Sequence, residues 1–133
     1  MSQENVEIVR RLYDALARGD TATVLALFDP QVVVVNFAGA PETRPYVGHD
    51  GLGEWAQSTR DAMGDFRIEA DEMLDVDENR VVVVGRVFGR GPTSGLPVEV
   101  HLSTVITLRG GKIVRTHSYR TKAEALEAVG LRE

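Results

Sequence analysis

From Pro97 to Arg120 the chain reads PVEVHLSTVITL, then RGG, then KIVRTHSYR: two long runs around a glycine turn. In the first run Val98, Val100, Leu102, Ile106 and Leu108 alternate with Glu99, His101, Ser103 and Thr107. Alternation at period two gives one apolar and one polar face, the pattern of a half-buried strand. The turn admits two readings. A two-residue Gly110-Gly111 turn pairs Arg109 with Lys112; a three-residue Arg109-Gly110-Gly111 loop pairs Leu108 with Lys112 and Thr104 with Thr116. The two differ by one residue, and a one-residue slip turns every side chain to the other face. The three-residue loop is preferred because it sets Ile106 on Val114 and keeps Arg115 with polar Ser103 and Thr107. The inner face then carries Val100, Leu102, Thr104, Ile106, Val114, Thr116, Ser118 and Arg120, while Val105, Ile113, Tyr119, His101 and His117 point outward.

Upstream, Val6, Val9, Tyr13 and Leu16 recur at helical steps beside Leu12, predicting an amphipathic helix capped by Ser2 and closed at Gly19. Asp20 caps a shorter helix, Thr21 to Phe28, stopped by Pro30. Val32 to Phe37 reads as a strand buried on both faces, Ala38 to Pro45 as loop, and Tyr46-Val47 as a short strand. Gly48 to Met63 forms a third helix with Leu52 and Trp55 inward. Phe66, Ile68 and Ala70 begin a strand that runs to Val76, and Asp77-Glu78-Asn79 turns the chain. Arg80 to Phe88 is the next strand, its VVVV run buried on both faces, with Val84, Arg86 and Phe88 assigned inward together with Val34 and Asn36. A flexible loop over residues 89–95 follows. Thr121 to Glu124 is a capping box ahead of a last helix with Ala125, Leu126 and Val129, stopped by Gly130. The order predicts an α+β fold in one domain: a bent, cone-shaped antiparallel sheet, three helices of the N-terminal half on its concave face, and a short C-terminal helix.

Composition narrows the function. A formal net charge of −5 with no basic run weighs against nucleic acid. With no cysteine there is no disulfide or thiolate chemistry, and the three histidines share no ligand spacing; no cofactor or metal is expected. Glu4 and Glu7 break the apolar run of the N-terminal segment, which also has no basic start, so it is not read as a signal peptide, and no apolar run is long enough to cross a bilayer. A cytoplasmic protein without membrane contact is expected. One helix layer covers one sheet face; the apolar outer face predicts a homodimer.

The segments RRLYDALARGD…ALFDP, YVGHDGL…W, VVVVGRVFGRG and TLRGGKIVRTHSYRTKAEALEAVGL resemble the SnoaL-like branch of the nuclear transport factor 2-like superfamily over nearly the whole chain. That resemblance implies the same cone, mostly dimeric through the sheet, in a superfamily that includes ketosteroid isomerases, epoxide hydrolases and polyketide cyclases. Its catalytic positions are changed here. The isomerases' general-base aspartate matches Asn36, their oxyanion-hole tyrosine matches Leu12 with Tyr13 one step round, and their proton-donating aspartate matches Thr104. The epoxide hydrolases' arginine matches Arg86, but their two carboxylates fall near Phe88 and Ser118. An amide cannot abstract a proton, and leucine and threonine do not rebuild a strong oxyanion hole.

The candidate ligand-binding residues are Tyr13, Asn36, Trp55, Arg86, Phe88, Leu102, Thr104, Thr116, Ser118 and Arg120. Each also has a structural reading. Asn36 and Arg86 either orient a ligand's carbonyl or carboxylate or form a buried polar pair. Arg120 is a rim charge or an anion clamp, and Trp55 and Phe88 are core or ligand shelf. Tyr13 and Tyr46 are packed rings or cavity hydroxyls. The sequence therefore predicts an apolar cavity that holds a small hydrophobic or amphipathic molecule, with no catalytic residue assigned and no carboxylate on the inner face. The alternative is a cofactor-independent isomerase, cyclase or hydrolase that uses Arg86 and a tyrosine or histidine. A third reading is a pocket collapsed on its own side chains.

Overall fold

A computed structural model describes residues 2–40 and 42–131. The elements, in order, are α1 (Ser2–Arg18), α2 (Thr21–Leu27), β1 (Phe28–Val35), β2 (Tyr46–Val47), α3 (Gly48–Met63), β3 (Arg67–Asp75), β4 (Arg80–Arg90), β5 (Pro97–Arg109), β6 (Lys112–Tyr119) and α4 (Lys122–Ala128). The fold is the α+β one predicted: three N-terminal helices, a six-stranded sheet and a short C-terminal helix. The strand order is β2-β1-β6-β5-β4-β3. The sheet is mixed rather than antiparallel throughout as predicted, because β1 lies parallel to β6 while the other neighbours are antiparallel.

Local chemistry sets most boundaries. Gly19 takes φ +70° after α1, and Asp20 accepts from the Thr23 N–H at 3.2 Å to cap α2. Thr121 accepts from the Glu124 N–H at 3.1 Å at the start of α4. The predicted Ser2 cap rests on a side chain outside the described residues, and so does Pro41 of the predicted loop. Phe28 opens β1 rather than closing α2, and Pro30 falls inside the strand. It is tolerated there because the ladder to β6 breaks register between Phe28 and Val33, where no N–H is required. The strand ends at Val35, two residues short of Phe37, and within residues 32–35, Val32 and Val34 are buried while Val33 and Val35 are half-buried.

The β5–β6 hairpin turns differently from the expectation. Gly110 and Gly111 have φ of 59° and 80°, and Arg109 pairs with Lys112, so the turn is the two-residue kind that needs positive φ twice. A bulge then follows. Leu108 pairs with Ile113 and Thr107 with Arg115, leaving Val114 as the extra residue. The bulge reverses the facing of everything beyond it, so Thr104 pairs with Ser118 and Ile106 with Thr116. Thr104, Ile106, Thr116 and Ser118 thus share the helix-covered face. Ile113, placed outward from sequence, lies on the near side of the bulge and is fully buried in the inner core.

β4 also faces the opposite way from its predicted orientation. Val83 pairs with Thr104 and Gly85 with Leu102, so Val81, Val83, Gly85 and Val87 look inward, and Val84, Arg86 and Phe88 look outward. An unbroken valine run is apolar on both sides and carries no parity of its own. Val82 and Val105 instead form an outer cluster with Ala125 and Val129 of α4. The C-terminal helix therefore covers part of the surface that had been assigned to a second subunit. No helix is long and apolar enough to cross a membrane among the described residues.

Two outcomes test this packing. A Cβ on Gly85 would stand 2.5 Å from the Glu69 carbonyl oxygen, beside the β3 bulge between Ala70 and Glu72. Gly85→Ala is expected to lower stability by about 2–3 kcal/mol in urea unfolding, since backbone on a paired strand cannot step aside; an unchanged midpoint would contradict the tight register. On the outer face His117 stacks on Tyr119 at 4.5 Å, and burial, then Arg115, lowers its pKa from 6.5. The unfolded chain then binds this proton more readily than the fold, so stability falls as pH drops below about 6.5. His117→Phe is expected to flatten that limb between about pH 7 and 5; parallel curves for variant and wild type would show that His117 is not responsible.

Candidate functional site

The helices and the inner sheet face enclose a hollow of about 500 Å³, a usual size for a small-molecule site. One wall is aromatic. Trp55 from α3 meets Phe66 edge-on, with ring centroids 5.6 Å apart and planes at 87°. Ile68, Val83, Gly85 and Val87 continue the wall along β3 and β4. Leu102, Thr104 and Ile106 of β5, with Thr116 and Ser118 of β6, form the sheet side. Leu12, Tyr13 and Leu16 of α1 and Val24 of α2 close it from the helix layer.

The polar groups inside are neutral. The Thr104 and Ser118 hydroxyls lie 3.1 Å apart on paired positions of neighbouring strands. Tyr13 borders the hollow, and among the described residues its hydroxyl has no hydrogen-bond partner. Burial pushes its phenol above the ordinary tyrosine range, so it stays protonated and able to donate.

Four charged residues also reach the hollow. Asp20 and Asp65 are carboxylates that sequence reasoning missed, since both come from helix ends and turns rather than from the strands it examined. Asp20 is occupied by the Thr23 N–H and hydroxyl, at 3.2 and 2.7 Å. These bonds hold its carboxyl below the usual carboxylate range. Asp65 and Arg60 are exposed at the end of α3 and the turn that follows. Arg86 touches the hollow between Gly85 and Val87. Its guanidinium, however, makes two 2.8 Å bonds to Asp71 and lies 4.9 Å from the Phe88 ring, as its outward register requires.

Of the predicted site residues, the fold gathers Tyr13, Trp55, Leu102, Thr104, Thr116 and Ser118 around one space. Phe88 faces away with Arg67 and Arg86 over its ring. Arg120 also lies outside the hollow, its guanidinium 5.2 Å from the Phe37 ring. Asn36 stands behind Trp55, accepting from its indole N–H at 3.0 Å and donating to the Glu42 carbonyl at 2.8 Å. Tyr46 is buried in the core. The histidines are elsewhere: His49 contacts the Phe28 carbonyl and His101 pairs with Glu99.

A hydroxyl with no partner among the described residues adds no hydrogen bond to the fold. Tyr13→Phe is therefore expected to leave stability unchanged or raise it by up to about 1 kcal/mol in chemical unfolding. A loss beyond about 1 kcal/mol would mean that the hydroxyl is bonded within the protein.

Residues 9–116 match the family described as the SnoaL-like domain. Among solved structures the chain is similar to TerC co-crystallised with polyporic acid: 22% identity, 96% of this chain and 98% of that one, TM-score 0.77. It is similar to a candidate polyketide cyclase from Sinorhizobium meliloti at 27% identity, over 89% of this chain and 98% of that one, with a TM-score of 0.66. It is also similar to a Catenulispora acidiphila protein of ketosteroid isomerase-like fold in complex with trimethylamine. There the identity is 18%, the coverage 94% and 93%, and the TM-score 0.71. No curated protein matches the chain.

Proposed function

We propose that this chain, which belongs to the SnoaL-like domain family, holds a small and largely apolar molecule in its inner hollow, oriented by hydroxyl groups rather than by charge. One observation carries the reading. The space is roomy, its walls are largely apolar, the hydroxyl groups along them (Tyr13, Thr104, Ser118) are uncharged, and the charged residues that reach it are bonded elsewhere or exposed. An apolar ligand displaces water there at little cost, and a carbonyl, ether or phenol oxygen on it finds a donor. Relatives of the same fold crystallised with polyporic acid and with trimethylamine support the choice of a small organic molecule.

A second reading, a cofactor-independent enzyme of cyclase or isomerase type, is favoured by the neutral Tyr13 phenol. It is a donor held ready for a developing oxyanion, and the Sinorhizobium meliloti relative is a candidate polyketide cyclase. This second reading finds no base at the position the resemblance implies. Asn36 stands where the resemblance places one, and its amide is committed to Trp55 and Glu42. A homodimer through the outer sheet face accords with the apolar strip that Val33 forms with Val47, which is 59% exposed.

The test uses N-phenyl-1-naphthylamine, a neutral probe that fluoresces in apolar surroundings. Wild type is expected to give a saturable, blue-shifted signal. Thr104→Phe, which fills the hollow, is expected to abolish it, and Thr107→Phe on the outer face to leave it intact. Equal binding by wild type and Thr104→Phe would place the probe elsewhere and overturn the reading.

A further inference from the structure

We infer that Asn36 is a positioning residue that aims the Trp55 indole at the hollow and ties that wall to the loop between β1 and β2. The inference rests on the hollow being the binding site. Asn36 follows the last residue of β1 and does not border the hollow itself. Its amide meets two groups of fixed and opposite character. The indole N–H of Trp55 can only donate, and it reaches the Asn36 side-chain oxygen at 3.0 Å. The Glu42 carbonyl can only accept, and it takes the Asn36 NH₂ at 2.8 Å. An amide satisfies both. An aspartate would keep the indole bond but set a carboxylate oxygen against the Glu42 carbonyl, and a leucine would lose both contacts. This is a physical reason for asparagine at the position where the resemblance implies a catalytic aspartate.

Both ends of the link are held. The Trp55 ring packs edge-on against Phe66, and its backbone carbonyl accepts from the Thr59 hydroxyl at 2.9 Å. The N–H···O bond adds a directional restraint on the rotation of the indole to that packing. On the loop side, the Glu42 carboxylate accepts from the Arg44 N–H at 2.9 Å. Arg120 lies over Phe37 and so close to Gly39 that a Cβ there would stand 2.7 Å from the guanidinium. Arg120, assigned to ligand binding from sequence, instead braces the loop that holds Asn36. Pressure on the indole face is thereby transmitted to Glu42, and the stiffness of the loop becomes a term in the selectivity of the hollow.

The chain has one tryptophan, so its indole N–H gives one unambiguous proton resonance. In Asn36→Leu that proton is expected to exchange with solvent about 10-fold faster or more, and N-phenyl-1-naphthylamine to bind about 10-fold more weakly, a change of about 1.4 kcal/mol. Trp55→Phe, which keeps a ring but has no N–H, is expected to weaken the probe similarly, and the double variant to be no weaker than either single one. Asn36→Asp, which retains the indole acceptor but sets a carboxylate oxygen against the Glu42 carbonyl, is expected to keep the slow exchange while binding the probe more weakly than wild type. Should the leucine variant fail to fold, Asn36→Ala, which also lacks the indole acceptor, carries the same test. Additive losses in the double variant would mean that Asn36 touches the ligand directly. Unchanged exchange in Asn36→Leu would mean that it does not hold the indole. Either result overturns the inference. If wild type fails to bind the probe, the binding reading falls, while the exchange rates still decide the anchor.

Discussion

One extra residue in β6 decides what this protein shows to its interior. The two-glycine turn at Gly110 and Gly111 starts the strand in one facing, and the bulge at Val114 reverses it. Ile113 is therefore free to fill the core beside Leu108, while Thr116 and Ser118 still face the hollow. Without the extra residue a continuous ladder would turn Arg115 and His117 inward and Thr116 and Ser118 outward. A guanidinium and an imidazole would then sit against Ile106 and Val83, and the interior would have to solvate charge. On the outer face the same shift sets His117 on Tyr119 and leaves Val105 to be covered by α4.

The sheet wall of the hollow presents neutral hydroxyls, while the ionic groups at its border are committed elsewhere or stay in water. Arg86 belongs to an outer-face chain with Asp71 and Glu69. Asp20 is consumed by the start of α2, and Arg60 and Asp65 stay exposed. Neutral hydroxyls can be placed in an apolar wall at moderate cost, and the 3.1 Å Thr104–Ser118 contact reduces even that. The same economy sets the chemistry available. Shape, aromatic contact and single hydrogen bonds can select a ligand here, and the carboxylates that border the hollow, Asp20 and Asp65, come from helix ends rather than from the sheet. Asn36 belongs to this pattern, since its polarity is spent within the protein rather than on the ligand.

Much of the fold was legible because period and punctuation agreed. Alternation in β5 was unambiguous, and Asp20, Thr121 and the glycines marked helix ends that the structure reproduces. Where the pattern was silent, the reading slipped. The valines at positions 81–84 are apolar on both faces, so nothing local decided which side Arg86 and Phe88 would take. In KIVRT, Ile113 and Val114 are both apolar, which hides the bulge; the preferred three-residue turn was wrong, yet the bulge restores the same facing for Thr104, Thr116 and Ser118. Asn36 and Arg120 were candidates because they are polar near an apolar face. Their partners, Trp55 and the Phe37 ring, lie 19 and 83 positions away, and pairing at that distance is set by tertiary structure alone. Asp65 had no signal beyond following a glycine at a helix end.

The most direct measurement is a set of nuclear Overhauser contacts between bound N-phenyl-1-naphthylamine and the methyl groups of β5 and β6. Contacts to Leu102, Thr104, Ile106 and Thr116, with none to Val105 or Thr107, are the expected result. Contacts to Val105 and Thr107 with the inner methyls silent would place the ligand on the other side of the sheet and contradict both the facing and the site.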